Sequence, residues 1–270
     1  MPIPVLELSD GNRIPQLGLG VWQVTGGETV PVVAAALDAG YRHIDTAAAY
    51  GNERGVGRAI RESGIPRGEL FVTTKLDTSD MGRTRAALEE SLDALGLDYV
   101  DLYLIHWPVP RHRRRFDAWK AMVQARAEGL VRSIGVSNFT EKYLRELLDL
   151  SGTVPVVNQI EYHPGYQQRE LQAFAMQHGI ATEAYSPLGM GSGPRDVAIG
   201  RIAGKHGVTA AQVILRWHVQ QGRIAIPKTV TPSRIVENLA VTGFELGPED
   251  LAIIDALNTG RYLGWDPEHV

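Results

Sequence analysis

The 270-residue chain contains no cysteine. That excludes disulfides, thiolate metal centres and cysteine nucleophiles, and it agrees with a reducing compartment. Basic residues are not in excess: 27 Lys and Arg against 31 Asp and Glu leave a formal charge of −4, so no general attraction to nucleic acid or anionic lipid is built in. No apolar run approaches the length of a membrane span, and the N-terminal MPIPVLELSDGNRIPQ lacks a basic segment followed by an apolar one. These absences lead us to expect a cytoplasmic protein without nucleic-acid or membrane partners. No Pro- or Ser-rich linker divides the chain, so one domain over 1–270 is expected. No GxGxxG follows a candidate strand, which leaves a Rossmann half unsupported.

What is present is a recurrence. Hydrophobic residues make up 44% of the chain, enough for a large core. After a hairpin around VLELSDGNRI, with DG at the turn, the β-rich runs are LGLG, HID, FVTTKL, VDLYLIH, SIGVSN, VVNQIEY, ATEAYS and IAIPK. Amphipathic stretches such as VPVVAAALDAG, TRAALEESLDALG, TEKYLRELLDLSG and RELQAFAMQHG lie between them, several ending in the Gly of a left-handed cap. Strand followed by helix, repeated eight times, indicates an α/β fold of the (β/α)8 TIM-barrel type with an N-terminal β-hairpin.

Barrels of this kind carry their chemistry at the C-terminal ends of the strands. Asp45 closes HID, Lys75 lies near the end of FVTTKL and His106 closes VDLYLIH, on consecutive strands, while Tyr50 follows Asp45 in the next loop. Singly, each has a plain explanation: a capping Asp, a solvated Lys, a hydrogen-bonded His, a packing Tyr. Jointly they form a set with one use. A phenol titrating near 10 is a poor proton donor at neutrality; an adjacent ammonium favours its ionised form, and a carboxylate behind the ammonium keeps the Lys charged. A neutral His adds a directed hydrogen bond.

The segments GYRHIDTAAAYGNERGVG, FVTTKL, DLYLIHWP, GVSNF, NQIEYHP, AYSPLG and IPKTVTPSRIVEN, in that order from end to end, resemble the aldo-keto reductase family. Within it, the chain is most similar to prokaryotic members of the 2,5-diketogluconate reductase type. The resemblance implies NADPH-dependent reduction of aldehydes and ketones by hydride transfer. The family's catalytic tetrad would fall on Asp45, Tyr50, Lys75 and His106, with Tyr50 as proton donor, its pKa lowered by Lys75 and Asp45. Ser137, Asn138 and Gln159 would take the nicotinamide carboxamide, Tyr185 the ring face, and Ser186, Pro187 and Leu188 the pyrophosphate. PKTVTPSRIVEN opens a helix with cations beside it, a good anion site, and the resemblance matches Lys228, Thr229 and Arg234 to the adenosine 2′-phosphate and Glu237 and Asn238 to the adenine. NADPH is thus favoured over NADH.

Trp22 and Trp107 follow the first and fourth strands and should wall the substrate mouth, as they do in the family. Tyr50 and His106 would complete the substrate site. Where many relatives have an aromatic after KL, this chain has Asp77, and its tail after Asn258 is short, which predicts an open and weakly selective site. RHRRR at 111–115 follows the catalytic strand and suggests a bias toward anionic carbonyl compounds. The remaining histidines show no metal-ligand spacing, so no metal is expected. The family's smaller members imply a monomer acting on small carbonyl substrates. Two alternatives remain: a cofactor-binding regulatory barrel with little turnover, and a metal-free barrel isomerase or aldolase with a phosphate site on strands seven and eight and a Lys75 Schiff base.

Overall fold

The structure, a computed structural model, describes residues 3–109 and 113–269. A hairpin of β1 (Val5–Glu7) and β2 (Arg13–Pro15) comes first. Its turn is longer than a two-residue DG loop. Leu8 N–H donates to the Asn12 carbonyl, and only Gly11 takes positive φ, at 84°, the pattern of a three-residue hairpin loop.

Eight parallel strands follow, in chain order around the sheet: β3 (Leu19–Gly20), β4 (His43–Asp45), β5 (Phe71–Leu76), β6 (Val100–Ile105), β7 (Val131–Ser137), β8 (Val157–Glu161), β9 (Ala181–Tyr185) and β10 (Ile224–Ala225). The ring closes between the ends: Leu17 bridges Ala225, and Gly18 and Gly20 donate to the carbonyls of Ala225 and Pro227. The helices α1 (Thr29–Ala39), α2 (Glu53–Ser63), α3 (Thr84–Leu95), α4 (Arg114–Ala127), α5 (Glu141–Ser151) and α6 (Arg169–Gln177) alternate with the strands up to β9. Next come α7 (Val197–His206) and α8 (Ala210–Gln220) before β10, and α9 (Pro232–Leu239) and α10 (Pro248–Asp255) after it.

The two-residue period of each strand sorts its side chains. Ile44, Val72, Tyr103, Ile105, Ile134 and Val136 face outward and pack with Leu88, Trp119 and Leu144 of the helices. Phe71, Leu102, Leu104, Val157 and Ile224 fill the barrel interior, which the hairpin plugs from below with Leu8 and Ile14. Lys75 and Gln159 continue those inward rows by two-residue steps toward the C-terminal ends. The alternation that builds the core therefore also aims the polar groups at the mouth. At the crowded axis, a Cβ on Gly135 would meet the Val157 carbonyl at 2.6 Å and Leu104 at 2.8 Å, so only glycine fits there.

Candidate active site

Tyr50 sits on a single 3-10 turn, Ala48–Tyr50, closed by Gly51 at φ 66°. The turn is pinned by Asn52, which is buried, donates to the carbonyls of Val21 and Val24 at 2.9 Å each, and accepts from Thr46 Oγ1 at 2.7 Å. The loop after β4 is thereby tied to the loop after β3. Lys75, 0% exposed, reaches up the barrel axis; its Nζ donates to Asp45 Oδ1 at 2.6 Å, the Thr46 carbonyl at 2.9 Å and Tyr50 Oη at 3.4 Å. The His106 ring lies edge-on to the Tyr50 ring, with centroids 5.7 Å apart. The four residues expected to act together are together.

Their electrostatics follow from burial. Burial works against the Lys75 charge, but Asp45, Tyr50 and Glu183 outweigh it and hold the ammonium above its ordinary value. Burial lifts Asp45 as well, against the pull of Lys75. Nζ nonetheless has three oxygens within hydrogen-bond reach, those of Asp45, Thr46 and Tyr50, the surroundings that suit an ammonium. Tyr50 departs from expectation. Burial raises its phenol by more than Lys75 lowers it, and Asp45 adds to the rise; the resting group is a neutral phenol, ready to donate. Burial and Lys75 push His106 down to about 3, so its ring is neutral.

These groups open into a cavity of about 440 Å3 that runs past Ser137, Asn138, Gln159, Tyr185 and Ser186 to Lys228. Its floor has a defined polarity. Gln159 Nε2 donates to Asp45 Oδ2 at 2.8 Å and to Glu183 Oε2 at 2.9 Å, which uses both amide hydrogens and leaves Oε1 for the cavity. Asn138 Nδ2 donates to the His106 carbonyl and to Ser137 Oγ, while Asn138 Oδ1 accepts from Tyr185 Oη and keeps a second lone pair. What remains is a set of acceptors beside the Tyr185 phenol ring, complementary to a flat ring bearing a primary amide. Asn138 and Ser186 hold this shape at positive φ, 63° and 46°, outliers of the kind that gather at functional sites.

Residues 16–259 match the family model described as "Aldo/keto reductase family". The chain belongs to that family. It is 54% identical to an aldo-keto reductase of Mycobacterium sp. (strain KMS), covering 99% of this chain and 98% of that one. It is 51% identical to methylglyoxal reductase DkgA of Salmonella typhimurium, covering 98% and 97%. Among solved structures, a variant of Gox0644 in complex with NADPH matches with TM-score 0.96 at 45% identity, over 100% of this chain and 99% of that one. The Bombyx mori aldo-keto reductase in complex with NADP matches with TM-score 0.92 at 38% identity, over 97% and 95%.

In this aldo/keto reductase the other expected residues fall less uniformly. Trp22 and Trp107 line the cavity, as does Lys228. Of the 186–188 segment only Ser186 does; Pro187 is buried and Leu188 packs into the core. Thr229, Arg234, Glu237 and Asn238 lie outside the lining, on the turn and helix after β10. Thr229 Oγ1 accepts from Thr231 N–H, Glu237 from Thr209, and Asn238 is buried. Arg234 is exposed, and neither it nor Lys228 has an ion-pair partner among the described residues.

The described arginines of the basic run do not line the mouth. Arg111 and His112 lie outside the described residues; Arg115 is 4% exposed and paired with Glu146 of α5, and none of Arg113, Arg114 and Arg115 lines the cavity. The short tail reaches the mouth. It folds back so that Gly264 and Trp265 join the lining, with Trp265 6.2 Å from Trp107. Trp265 and Glu183 were not singled out from the sequence. The available signals were an indole within a polar tail and a carboxylate on an inward position of the buried run ATEAY.

Proposed function

We propose that Tyr50 is the proton donor in the NADPH-dependent reduction of aldehydes and ketones that this aldo/keto reductase carries out. The observation that carries the reading is the contact of Tyr50 Oη with Lys75 Nζ at 3.4 Å, beside His106 and above the acceptor floor of one cavity. Bound NADPH supplies the hydride. Neutral His106 orients the carbonyl oxygen by a hydrogen bond. Charge developing on that oxygen draws the proton from Tyr50, and Lys75, kept charged by Asp45, stabilises the phenolate left behind.

Gln159, Asn138 and Ser137 hold the carboxamide, and Tyr185 supports the ring. Ser186, Pro187 and Leu188 follow the pyrophosphate. Lys228, Thr229 and Arg234 take the 2′-phosphate at the N-terminal end of α9, and Glu237 and Asn238 face the adenine. Trp22 and Trp107 wall the substrate. The Salmonella relative's name suggests small α-oxo aldehydes as a first substrate class. We further read the chain as one domain over 1–270, monomeric and cytoplasmic; among the described residues no helix is long and apolar enough to cross a membrane.

The alternatives fare worse. The regulatory barrel finds no support in relatives named as reductases. An aldolase lysine needs a lowered pKa to be nucleophilic, whereas Lys75 is raised and ion-paired. The deciding experiment follows nicotinamide absorbance with methylglyoxal and a panel of aldehydes. Turnover is expected with NADPH and should drop by about 10²–10⁴-fold in Tyr50→Phe with NADPH binding retained. Turnover undiminished by that change would sink the mechanism.

A further inference from the structure

β5 ends at Leu76, and the next residue turns the chain across the barrel mouth. Asp77 Oδ1 accepts from Ser79 N–H at 2.9 Å and from Ser79 Oγ at 2.7 Å, capping the turn Thr78–Asp80. Its Oδ2 receives no hydrogen bond among the described residues, and the side chain lines the same cavity as Tyr50 and His106. The charge reaches the reacting groups: at His106 it opposes the lowering caused by burial and Lys75.

Little offsets that charge. Asp45 is neutralised by Lys75, and Lys228 belongs to the segment after β10, separated from β5 by β3 and β4. Of the described arginines of the basic run, Arg115 pairs with Glu146 and lies over Tyr143, Arg113 lies over Phe116, and Arg114 reaches toward Gly82; none lines the cavity. The substrate side of the cavity, walled by Trp22, Trp107 and Trp265, therefore carries one net negative charge among its described residues. Indole walls screen it poorly, so a second negative charge entering the mouth is repelled. A hydroxyl donor finds a charged acceptor.

We infer that Asp77 sets the substrate class of this enzyme: uncharged carbonyl compounds with a hydroxyl beside the carbonyl are favoured, and those bearing a carboxylate are disfavoured. This rests on the reading of the cavity as the site of carbonyl reduction.

The test compares kcat/KM for glyceraldehyde, propanal and glyoxylate in the wild type and in Asp77→Asn. Asn can still accept from Ser79 N–H, so the turn persists; Asp77→Ser provides a second capping variant. Relative to propanal, glyoxylate should gain about tenfold in Asp77→Asn and glyceraldehyde should lose about threefold. The glyoxylate-to-propanal ratio should rise with added salt in the wild type and stay flat in the variant. Turnover of propanal with both ratios unmoved overturns the role of Asp77 while leaving carbonyl reduction standing. No turnover with any of the three overturns the reading of the cavity and this inference with it.

Discussion

Lys75 Nζ lies 2.6 Å from Asp45 Oδ1 inside the barrel, with neither side chain more than 2% exposed. Two charges so placed depend on each other, because removing one leaves the other buried without a partner. Lys75→Met should therefore act twice. Calorimetry should register a loss of roughly 3–5 kcal/mol of folding stability, and kcat should fall by about 10²–10⁴-fold as Tyr50 loses the cation that stabilises its phenolate. A variant that keeps its stability but loses activity would mean that the charges are not interdependent.

Protonation gives a second expectation. Tyr50 is raised by burial and His106 is pushed down to about 3, so neither changes state near neutrality. Glu183 does: burial and Asp45 push it up to about 8. Because this lies above the unfolded carboxyl value of about 4.3, the stability it contributes is complete at acid pH and is lost as pH rises through about 8. Glu183→Gln keeps an acceptor for Gln159 Nε2 and removes the titration. Between about pH 6 and about pH 9 the wild-type Tm should fall more than that of Glu183→Gln. Parallel Tm curves would refute the assignment.

The features legible in the sequence share a physical origin in short-range periodicity. Asp45, Lys75 and His106 could be aligned because strand alternation and barrel topology fix where a strand-end residue points. Trp265 depends on a tail whose course is set by contacts distant in sequence, such as Glu161 with Gly264 across 103 residues. Tyr50 lies beside Lys75 and His106 as expected, but its phenol is raised where a lowering was expected. Burial, the term that decides it, is a property of the assembled fold.

Asn52 supports Tyr50 from two residues away. Replacing it with Ala removes one of two donors from each of the Val21 and Val24 carbonyls, which keep Val24 N–H and Thr29 Oγ1, and takes the acceptor from Thr46 Oγ1, at a cost of about 1–3 kcal/mol. With the turn released, kcat should fall by more than KM changes. Asn52→Asp should not restore activity, because a carboxylate cannot donate to two carbonyls; full rescue by Asp would show that only the Thr46 contact matters.

At Leu263 and Gly264 the tail is clasped by a single carboxylate. Glu161, buried at the end of β8, accepts from Leu263 N–H at 2.7 Å through Oε1 and from Gly264 N–H at 3.0 Å through Oε2, and His163 Nε2 lies 3.1 Å from Oε1. Burial opposes its charge, but His163 and the two amides prevail and hold it below the ordinary carboxylate value. The charged form is therefore the one that clasps the tail at neutral pH and sets Trp265 against Trp107. Glu161→Ala removes a charged acceptor from both amides, worth about 2 kcal/mol between them. Hydrogen exchange at Leu263 and Gly264 should accelerate by about 30-fold, and the emission of Trp265 should shift toward that of a solvated indole. The third wall of the mouth would then be lost, raising KM for aldehydes while the affinity for NADPH, whose proposed contacts do not include the tail, changes little. Unaltered exchange at both amides would show that the tail is held by Tyr262 and Glu268 instead.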